Sequence, residues 1–487
     1  MSMISNETVS KNFIWRLLER CGAQIVTFVV SIVLARLLDP SVYGEIALVT
    51  VFISILQVFV DGGLGNALIQ KKDADNVDFS SVFFFNIIFC IILYGLMYLI
   101  APFISAFYDK ELTSVIRVLS IVIIISGVKN VQQAYVSRNM MFKKFFFATL
   151  GGTIGASVIG VVLALKGFGV WALVYQNLFN NVVDTLLLWI TVKWRPICTF
   201  SFDRLKGLFS FGWKLLLAQL FDSVYENCRS LIIGKKYSAA SLAYYNKGKQ
   251  FPSLILTNIS SSMDSVLLPT MSTVQDDKKL VRNMLSRSIK LSAFVIFPLL
   301  FGLSGISKLM VKILLTEKWG LCVPYMNIFC IAMIFTPLSL SNLNAIKAIG
   351  NSGVYLKLEI TRKIFGILTL IIFMWFGPIY IAFSYLLNQI IGYFINTLAT
   401  KKVLDYGPIK QLKDIFLSLL GSVFMLVFVW SIGKISINKY FLVILQIMVG
   451  MISYVFFAYI THNESFHYIL MLFKTLLKQR EKIENEK

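Results

Sequence analysis

Charged and amide side chains recur inside long apolar stretches of this chain, in stripes that can bind a charged or hydroxylated ligand. Placing residues on an ideal helix at about 100° each sorts them by face. In segment 13–37 and the residue before it, one face carries Asn12, Arg16, Glu19, Arg20, Gln24, Thr27 and Ser31. In segment 43–69 a narrower stripe consists of Thr50, Ser54, Gln57, Asp61 and Gly65.

Two later segments carry stripes of the same kind. One side of segment 208–233 carries Lys214, Gln219, Asp222, Ser223, Glu226 and Arg229. Segment 250–271 carries Gln250, Ser253, Thr257, Ser260, Ser261, Asp264 and Ser265. Guanidinium and ammonium groups attract anions, carboxylates hold protons or cations, and amides and hydroxyls bond to polar ligands.

The segments that carry these stripes are predicted to cross a membrane. The 487 residues are 57% hydrophobic and 15% charged, with a mean hydropathy of +0.75, whereas a soluble surface needs more charge. At about 20 apolar residues per crossing, we predict an all-α integral membrane protein. Its roughly fourteen transmembrane helices are 13–37, 43–69, 82–106, 114–137, 145–165, 170–192, 208–233, 250–271, 289–311, 321–346, 354–376, 378–400, 412–432 and 440–461. No removable signal peptide is expected, because residues 1–10 are polar and the apolar run after them is too long.

Charged members of the stripes need water or partners, since a charge at the bilayer centre costs roughly 2.5–3.5 kcal/mol. A water-filled cavity lined by the first, second, seventh and eighth helices satisfies all of them together. Hydrogen bonds between helices are an equally good explanation for the serines and threonines. Closed salt bridges, and a place for Arg16 at the membrane interface, stay open as alternatives.

The net charge of +21 indicates a membrane topology rather than a nucleic-acid partner. Lysines and arginines concentrate in alternate loops, as they do on the cytoplasmic side of membrane proteins. We therefore expect both termini in the cytoplasm. One predicted outside loop departs from the rule, with Lys235, Lys236, Lys247 and Lys249.

An internal repeat is visible in the stripes. Thr50, Ser54, Gln57 and Asp61 recur, each 203 residues later, as Ser253, Thr257, Ser260 and Asp264. This predicts two pseudo-symmetric six-helix lobes, 1–200 and 201–405, followed by two helices and a cytoplasmic tail in 406–487. The matched depth of Asp61 and Asp264 suggests that they carry a coupling proton or sodium ion.

Two further features concern packing and lining. The fifth segment has a small-residue face for close helix packing: Gly151, Gly152, Gly155, Ala156 and Gly160. In the fourth segment, Arg117 and Lys129 are weaker candidates for a basic lining.

Most enzymatic chemistry is missing from the sequence. The two histidines, His462 and His467, lie together at the edge of the last segment, and the six cysteines have no metal-ligand spacing. No ATP-binding GxxxxGK[ST] loop occurs. Residues 73–75 (DAD) have the form of a glycosyltransferase metal motif, but no nucleotide-binding domain surrounds them, so we interpret them as a solvated turn. We predict no catalytic residue, no metal and no cofactor.

Several short motifs are found along the chain, the strongest being RSLIIGKKYS at 229–238 and LAYYNKGKQFPSL at 242–254. Others are LARLLDPSVYG at 34–44, DGGLG at 61–65, SVLLP at 265–269, QDD at 275–277, LTEKW at 315–319 and NAIKAIG at 344–350. These motifs resemble bacterial oligosaccharide flippases, the lipopolysaccharide, capsule and teichuronic-acid exporters of the multidrug/oligosaccharidyl-lipid/polysaccharide superfamily. Together the motifs cover most of the chain up to the eleventh segment, and they do not identify a sugar.

The resemblance implies two lobes rocking about a cavity that moves an oligosaccharide on a polyprenyl diphosphate carrier. Its anionic diphosphate would be attracted by Arg16, Arg20, Lys214 and Arg229. Its sugar hydroxyls would bond to side chains such as Gln24, Gln57, Gln219 and Thr257. Ion coupling would fall to Asp61, Asp222, Glu226 and Asp264. Membrane lipids are expected partners, with a polysaccharide polymerase and glycosyltransferases as further ones.

One position departs from the family pattern. Many relatives in the superfamily have an acidic residue where Arg229 stands, which leaves cation coupling at that position open. The rival functions are a drug or cation antiporter of the same superfamily, a membrane-embedded polysaccharide polymerase or ligase, and a passive scramblase. The mixed, rather basic stripes disfavour the first, and the lack of a long outside loop disfavours the second.

Overall fold

A computed structural model of the chain describes residues 6–61, 63–471 and 475. The side chains of 6–14, 16–21 and 211 lie outside this description. The described part is built from helices: α1 (Asn6–Leu37), α2 (Pro40–Asp61), α3 (Leu64–Gln70), α4 (Asn76–Phe107), α5 (Thr113–Leu119), α6 (Ile121–Arg138), α7 (Phe142–Leu165), α8 (Val170–Thr191), α9 (Phe202–Lys236), α10 (Ala239–Ser272), α11 (Lys278–Leu314), a 3₁₀ helix (Glu317–Cys322), α12 (Val323–Met333), α13 (Phe335–Ala348), α14 (Ser352–Phe373), α15 (Pro378–Leu404), α16 (Pro408–Ile432) and α17 (Lys439–Ile460).

Every predicted segment falls on one helix or on consecutive helices, although α10 and α11 each begin eleven residues before the predicted segments 250–271 and 289–311. Segment 43–69 runs over α2 and α3, and segment 114–137 runs over α5 and α6. Segment 321–346 runs over part of the 3₁₀ helix, α12 and α13. In the described part of the chain, nine helical stretches are long and apolar enough to cross a membrane. The all-helical membrane class is confirmed, and the number fourteen stays a prediction.

Helices α9 and α10 are not among those nine stretches, although they contain 35 and 34 residues. Both carry polar stripes identified in the sequence. A helix that enters a membrane with so many polar groups needs water or polar neighbours beside it. Each of these helices is therefore expected to have water or polar groups on one side rather than lipid all round.

Local sequence sets several helix ends. Asp75 caps α4, accepting hydrogen bonds from the backbone amides of Val77 and Asp78, and the Asp78 side chain returns a bond to the Asp75 amide. Asp277 caps α11 in the same way, without the returning bond. At the start of α15, Gly377 has a φ of 132°, a conformation that favours glycine, and Pro378 opens the helix.

The chain divides into two compact units, residues 1–243 and 244–487. In the first, buried aromatic and aliphatic side chains such as Phe79, Phe83 and Trp194 form a core between α3, α4, α6 and α9. In the second, the largest fully buried side chains are Trp319, Tyr393, Phe297 and Phe329. The predicted lobes 1–200 and 201–405 and the appendage 406–487 rest on the sequence repeat, and they stay a prediction.

The small-residue face of α7 packs closely against α8, as predicted. A Cβ atom on Gly152 would lie 3.1 Å from the carbonyl oxygen of Asn180. On Gly155 it would lie 2.9 Å from the Phe179 ring, and on Gly160 2.9 Å from the Gln176 amide carbon. Larger residues would force the two helices apart.

Candidate functional site

Asp61 lies at the C-terminal end of α2, where two amides hold its carboxylate. Gln57 Nε2 donates to one oxygen at 3.2 Å, and Asn130 Nδ2 of α6 donates to the other at 3.1 Å. Asn86 Nδ2 of α4 lies 3.5 Å from Asn130 Oδ1, which extends the chain of amides to a third helix. Asp61 is nonetheless exposed, so a ligand or an ion can reach it.

The break between α2 and α3, directly after Asp61, allows close packing against α6 on one side and α9 on the other. A Cβ atom on Gly65 would lie 2.9 Å from Asn130 Oδ1, so only glycine lets the amide reach Asp61. A Cβ atom on Gly63 would lie 3.1 Å from the carbonyl oxygen of Gly212 in α9. Helix α9 therefore packs backbone to backbone against the end of α2.

Half of the polar stripe of α9 is exposed. Lys214, Asp222 and Glu226 are exposed and Gln219 is half-buried. Arg229 is only 2% exposed, and its guanidinium carbon lies 5.4 Å from the centre of the Tyr225 ring. The structure thus leaves the first three available to an aqueous space and places Arg229 in the packed interior. A ligand-binding role for Arg229 stays a prediction.

The stripe on α1 is described only in its second half. Gln24 is half-buried and Thr27 is exposed. The side chains of Arg16 and Arg20 lie outside the described residues, so their predicted contact with an anion stays a prediction.

In the second unit, Asp264 of α10 accepts a hydrogen bond from Asn344 Nδ2 of α13 at 2.7 Å. Asn344 is 1% exposed, whereas Asp264 is exposed. Each unit therefore contains an exposed aspartate on a helix with a polar stripe, bonded to an asparagine of another helix. The sequence repeat matched the aspartates but missed both asparagines.

The hydroxyl groups of the stripes bond mainly within their own helices. Thr50 donates to the carbonyl of Ile46 at 2.6 Å, and Thr257 donates to that of Ser253 at 2.7 Å. Ser261 donates to the carbonyl of Asn258 at 3.1 Å. These protons are not used to join one helix to another, and the exposed oxygens still have lone pairs to offer a ligand.

A buried ion pair lies beside the Asp61 amide chain. Lys129 Nζ of α6 lies 3.2 Å from Asp184 Oδ2 of α8, and the two side chains are 15% and 11% exposed. The sequence made Lys129 a weak candidate for a basic lining and did not point to Asp184. The available signal was a polar face on segment 170–192 made by Asn177, Asn180, Asn181 and Asp184.

Ionic contacts also gather at the predicted cytoplasmic end of the first unit. Lys71 Nζ binds both oxygens of Asp78 at 2.7 Å, and Arg204 of α9 binds Asp75 at 2.5 Å. Bonds from the Asp78 backbone amide and from Arg204 hold the pKa of Asp75 below its ordinary value. A pocket of about 620 Å³ adjoins these residues, lined in part by Gln70, Lys71 and Arg204. Asp75 of the DAD sequence thus caps a helix and pairs with an arginine.

No metal site is evident in the part of the chain that the structure describes. Within it, no three histidine, cysteine or acidic side chains lie close enough together to hold a metal ion.

The predicted outside loop that departed from the charge rule has an acidic neighbour, because Lys235 Nζ lies 3.2 Å from Asp109 Oδ2.

Comparison with known proteins places these features in a family. A family model described as "Polysaccharide biosynthesis protein" matches residues 33–324. The chain is 24% identical to the succinoglycan biosynthesis transport protein ExoT of Rhizobium meliloti (strain 1021), over 72% of this chain and 71% of that protein. It is 29% identical to the teichuronic acid biosynthesis protein TuaB of Bacillus subtilis (strain 168), over 61% of this chain and 62% of that protein.

Solved structures share the fold. The lipid II flippase MurJ, in an inward closed conformation, matches with a TM-score of 0.75 at 17% identity, over 92% of this chain and 99% of that one. An inward-facing multidrug resistance MATE family transporter of the MOP superfamily matches with a TM-score of 0.62 at 16% identity, over 79% of this chain and 94% of that one. Since the family model spans more than half of the sequence, the chain belongs to the polysaccharide biosynthesis protein family.

Proposed function

We propose that this protein flips polyprenyl-diphosphate-linked oligosaccharide repeat units across the bacterial cytoplasmic membrane by alternating access, for assembly of a cell-surface polysaccharide. The observation that carries the proposal is the exposed polar surface of α2, α9 and α10. Lys214, Asp222 and Asp264 are exposed on α9 and α10, which contain 35 and 34 residues and are long enough to cross a bilayer. Charged groups persist at such depth where water or a polar ligand meets them.

The cargo matches this surface in chemistry. A lipid-linked sugar combines an anionic diphosphate, many hydroxyls and an apolar tail. Lys214, with Arg16, Arg20 and Arg229, would attract the diphosphate. Gln24, Gln57, Gln219 and Thr257 would bond to the sugar, while the tail stays in lipid. ExoT and TuaB are named for succinoglycan and teichuronic acid biosynthesis, and MurJ is named a lipid II flippase.

Transport would follow from movement of the two predicted lobes about a central cavity. Asp61, Asp222, Glu226 and Asp264 would couple that movement to a proton or sodium gradient. No chemical bond is made or broken in this cycle, so the protein acts as a transporter and not as an enzyme. Both termini would lie in the cytoplasm, where glycosyltransferases build the cargo, and a polymerase would receive it outside.

The test is a flipping assay in proteoliposomes that contain the full chain and a fluorescent, short-chain polyprenyl-diphosphate sugar. Lys214→Ala is expected to slow flipping about tenfold, the effect of losing roughly 1.4 kcal/mol of charge-assisted binding. Lys434→Ala is the matched control, because Lys434 is also exposed but lies beyond the C-terminal end of α16. Arg20→Ala and Arg229→Ala extend the series.

Two results would contradict the proposal. Wild-type protein that moves no labelled lipid would remove the flippase function. Unchanged rates in Lys214→Ala, Arg20→Ala and Arg229→Ala together would remove the anion-binding role. Efflux of a cationic dye in place of lipid movement would favour the drug antiporter.

A further inference from the structure

Three helices of the first unit, α2, α6 and α8, pack against one another, and each brings an ionisable group to their junction. Helix α2 contributes Asp61, α6 contributes Lys129 and α8 contributes Asp184. Lys129 is paired with Asp184 at 3.2 Å. The next residue of α6, Asn130, holds Asp61 at 3.1 Å.

The pairing at this junction leaves one acceptor unused. Asp184 Oδ2 meets Lys129, but Asp184 Oδ1 is buried and accepts no hydrogen bond within the described part of the chain. A buried carboxylate oxygen without a donor is costly. A proton on this carboxyl would remove the negative charge that pairs with Lys129.

Lys129 has a second carboxylate within electrostatic reach. Its positive charge also acts on Asp61, which is exposed on the polar side of α2. Two carboxylates and one ammonium carry a formal charge of −1 together. When Asp184 takes a proton, the same cluster has a formal charge of zero, and Lys129 loses its buried partner.

We propose that Lys129 is a masked anion-binding residue, which a proton on Asp184 releases toward Asp61 and the diphosphate of the transported lipid. The proton comes from water and stays on the Asp184 carboxyl, the ion pair opens, and no covalent bond other than that O–H forms. The released ammonium swings toward the exposed side of the junction. The proposal rests on the proposed function for the identity of the anion.

Other ionisable groups on the surrounding helices have partners of their own. Lys144 of α7 donates to the Thr191 carbonyl, and Arg138 of α6 donates to the Leu68 carbonyl. Arg117 of α5 lies over the Tyr98 ring, and Lys143 of α7 lies over the Trp15 ring. The remaining groups on α2, α4, α6 and α8 are Tyr43, Glu45, Asp78, Cys90, Tyr94, Tyr98, Tyr135 and Tyr175. Of the acids, Glu45 pairs with Lys110 and Asp78 with Lys71, so Asp184 and Asp61 are the acids that face Lys129.

By thermodynamic linkage, protonation of Asp184 and binding of the anion affect each other equally. If a proton on Asp184 strengthens anion binding, the bound anion must strengthen proton binding by the same factor. Cargo and proton would then occupy this unit together. Lys129 and Asp184 would couple transport to a proton gradient through the charge of the cavity wall.

The experiment measures binding of farnesyl diphosphate to the purified full chain at one near-neutral pH, where the charge of the probe is constant. Asp184→Asn imitates the protonated acid, because it removes the negative charge that holds Lys129 and keeps a polar group of the same shape. We expect the Asp184→Asn variant to bind the probe about tenfold more tightly than the wild type. This is the gain in affinity expected from one new contact between an ammonium group and a phosphate. Lys129→Met in the Asp184→Asn background should cancel this gain. Asp109→Asn, an exposed carboxylate paired with Lys235, should leave the affinity unchanged.

A second measurement removes the titration of the probe from the result. The affinity ratio between Asp184→Asn and the wild type, taken at each pH, should fall toward one as the pH drops and Asp184 takes its own proton. A ratio that is one at neutral pH, or a gain that survives Lys129→Met, would overturn the proposal. Because the double variant has neither charge, its thermal unfolding should match the wild type and show that lost binding is not lost folding.

These outcomes are separable from those of the flipping assay. Flipping by the wild type with no effect of Asp184→Asn on binding would remove Lys129 from the mechanism and leave the flippase function standing. An effect of Asp184→Asn on binding, without any lipid movement, would do the reverse.

Discussion

The two units treat similar aspartates differently. In the first, Asp61 accepts a bond from Asn130, and the neighbouring Lys129 forms a buried ion pair with Asp184. In the second, Asp264 accepts a bond from Asn344, and two residues earlier Asn342 exchanges two bonds with Gln411 at 3.0 and 2.8 Å. Thr400 adds a bond to Asn342 at 2.8 Å, and these three side chains have no exposed area.

The difference lies in what each unit can do with a proton. The network of Asn342, Gln411 and Thr400 has no ionisable member, so it fixes α13, α15 and α16 at any moderate pH. The pair of Lys129 and Asp184 consists of two ionisable groups. Under the proposal above, the first unit therefore contains a switchable contact where the second contains a permanent one.

The largest expected effect is on stability of the first unit. Lys129→Ala leaves the Asp184 carboxylate buried without its cation, which should lower the free energy of unfolding by about 3–5 kcal/mol. Chemical unfolding in detergent measures it. The double variant Lys129→Met/Asp184→Leu should recover most of the loss. No recovery would mean that the pair acts through its shape and not its charge.

The matching substitution in the second unit is Asn342→Leu, which removes both bonds to Gln411 and strands its amide. We expect a loss of about 2–3 kcal/mol, because each buried unsatisfied polar group costs about 1–3 kcal/mol. The same unfolding experiment, repeated across moderate pH, should give a constant loss. A loss that varies with pH would show a titrating group in this network and undo the contrast with the first unit.

Asp61→Asn and Asp264→Asn test the pair of aspartates directly. Each variant loses a charge but keeps an amide oxygen for its asparagine partner, so stability should change by less than about 1 kcal/mol in both. Asp61→Asn should slow flipping more than Asp264→Asn, because Asp61 lies within electrostatic reach of Lys129. Equal rates in the lipid-flipping assay would mean that the aspartates have the same role.

The last comparison concerns exposed carboxylates near helix ends, away from the polar stripes. Asp75→Ala removes the cap of α4 and should cost about 1 kcal/mol in unfolding. The pKa of Asp75 is lowered in the folded protein, so its stabilising effect is present above the unfolded value of about 4 and is lost as the pH falls through the folded value. Lys410 lowers the pKa of Asp405 in the second unit in the same direction. Asp405 caps no helix start and has a φ of 51°, which asparagine tolerates as aspartate does, so Asp405→Asn should change stability less.

Hydropathy and periodicity located the helices, but not their neighbours. The stripes of α2, α9 and α10 were visible because polar residues are rare in apolar segments. Asn130 and Asn344 were missed, since a single asparagine in a segment gives no sign of which helix it will meet. Asp184 was missed for the same reason: its meaning depends on the packing of α8 against α6, and apolar helices carry little information about partner choice.

The glycines of α7 were predictable where these contacts were not. A face of four glycines and an alanine indicates a close approach whichever helix arrives, and α8 is the helix that fills it. Arg229 shows the opposite case. Its position on the stripe suggested exposure, but the structure buries it beside Tyr225, because a periodic pattern does not say where along its length a helix becomes covered.

The serines and threonines of α2 and α10 bear on selectivity. Thr50, Thr257 and Ser261 donate their hydroxyl protons to carbonyls of their own helices. They can therefore offer a bound substrate only the acceptor lone pairs of their oxygens. Strong discrimination between substrates requires hydrogen-bonding groups of the protein that the wrong substrate would leave without a partner. Hydroxyls that already donate within their own helix are not left without a partner. Such a wall would tolerate sugars with different arrangements of hydroxyls, and exchange of one cargo for another would need few changes along it.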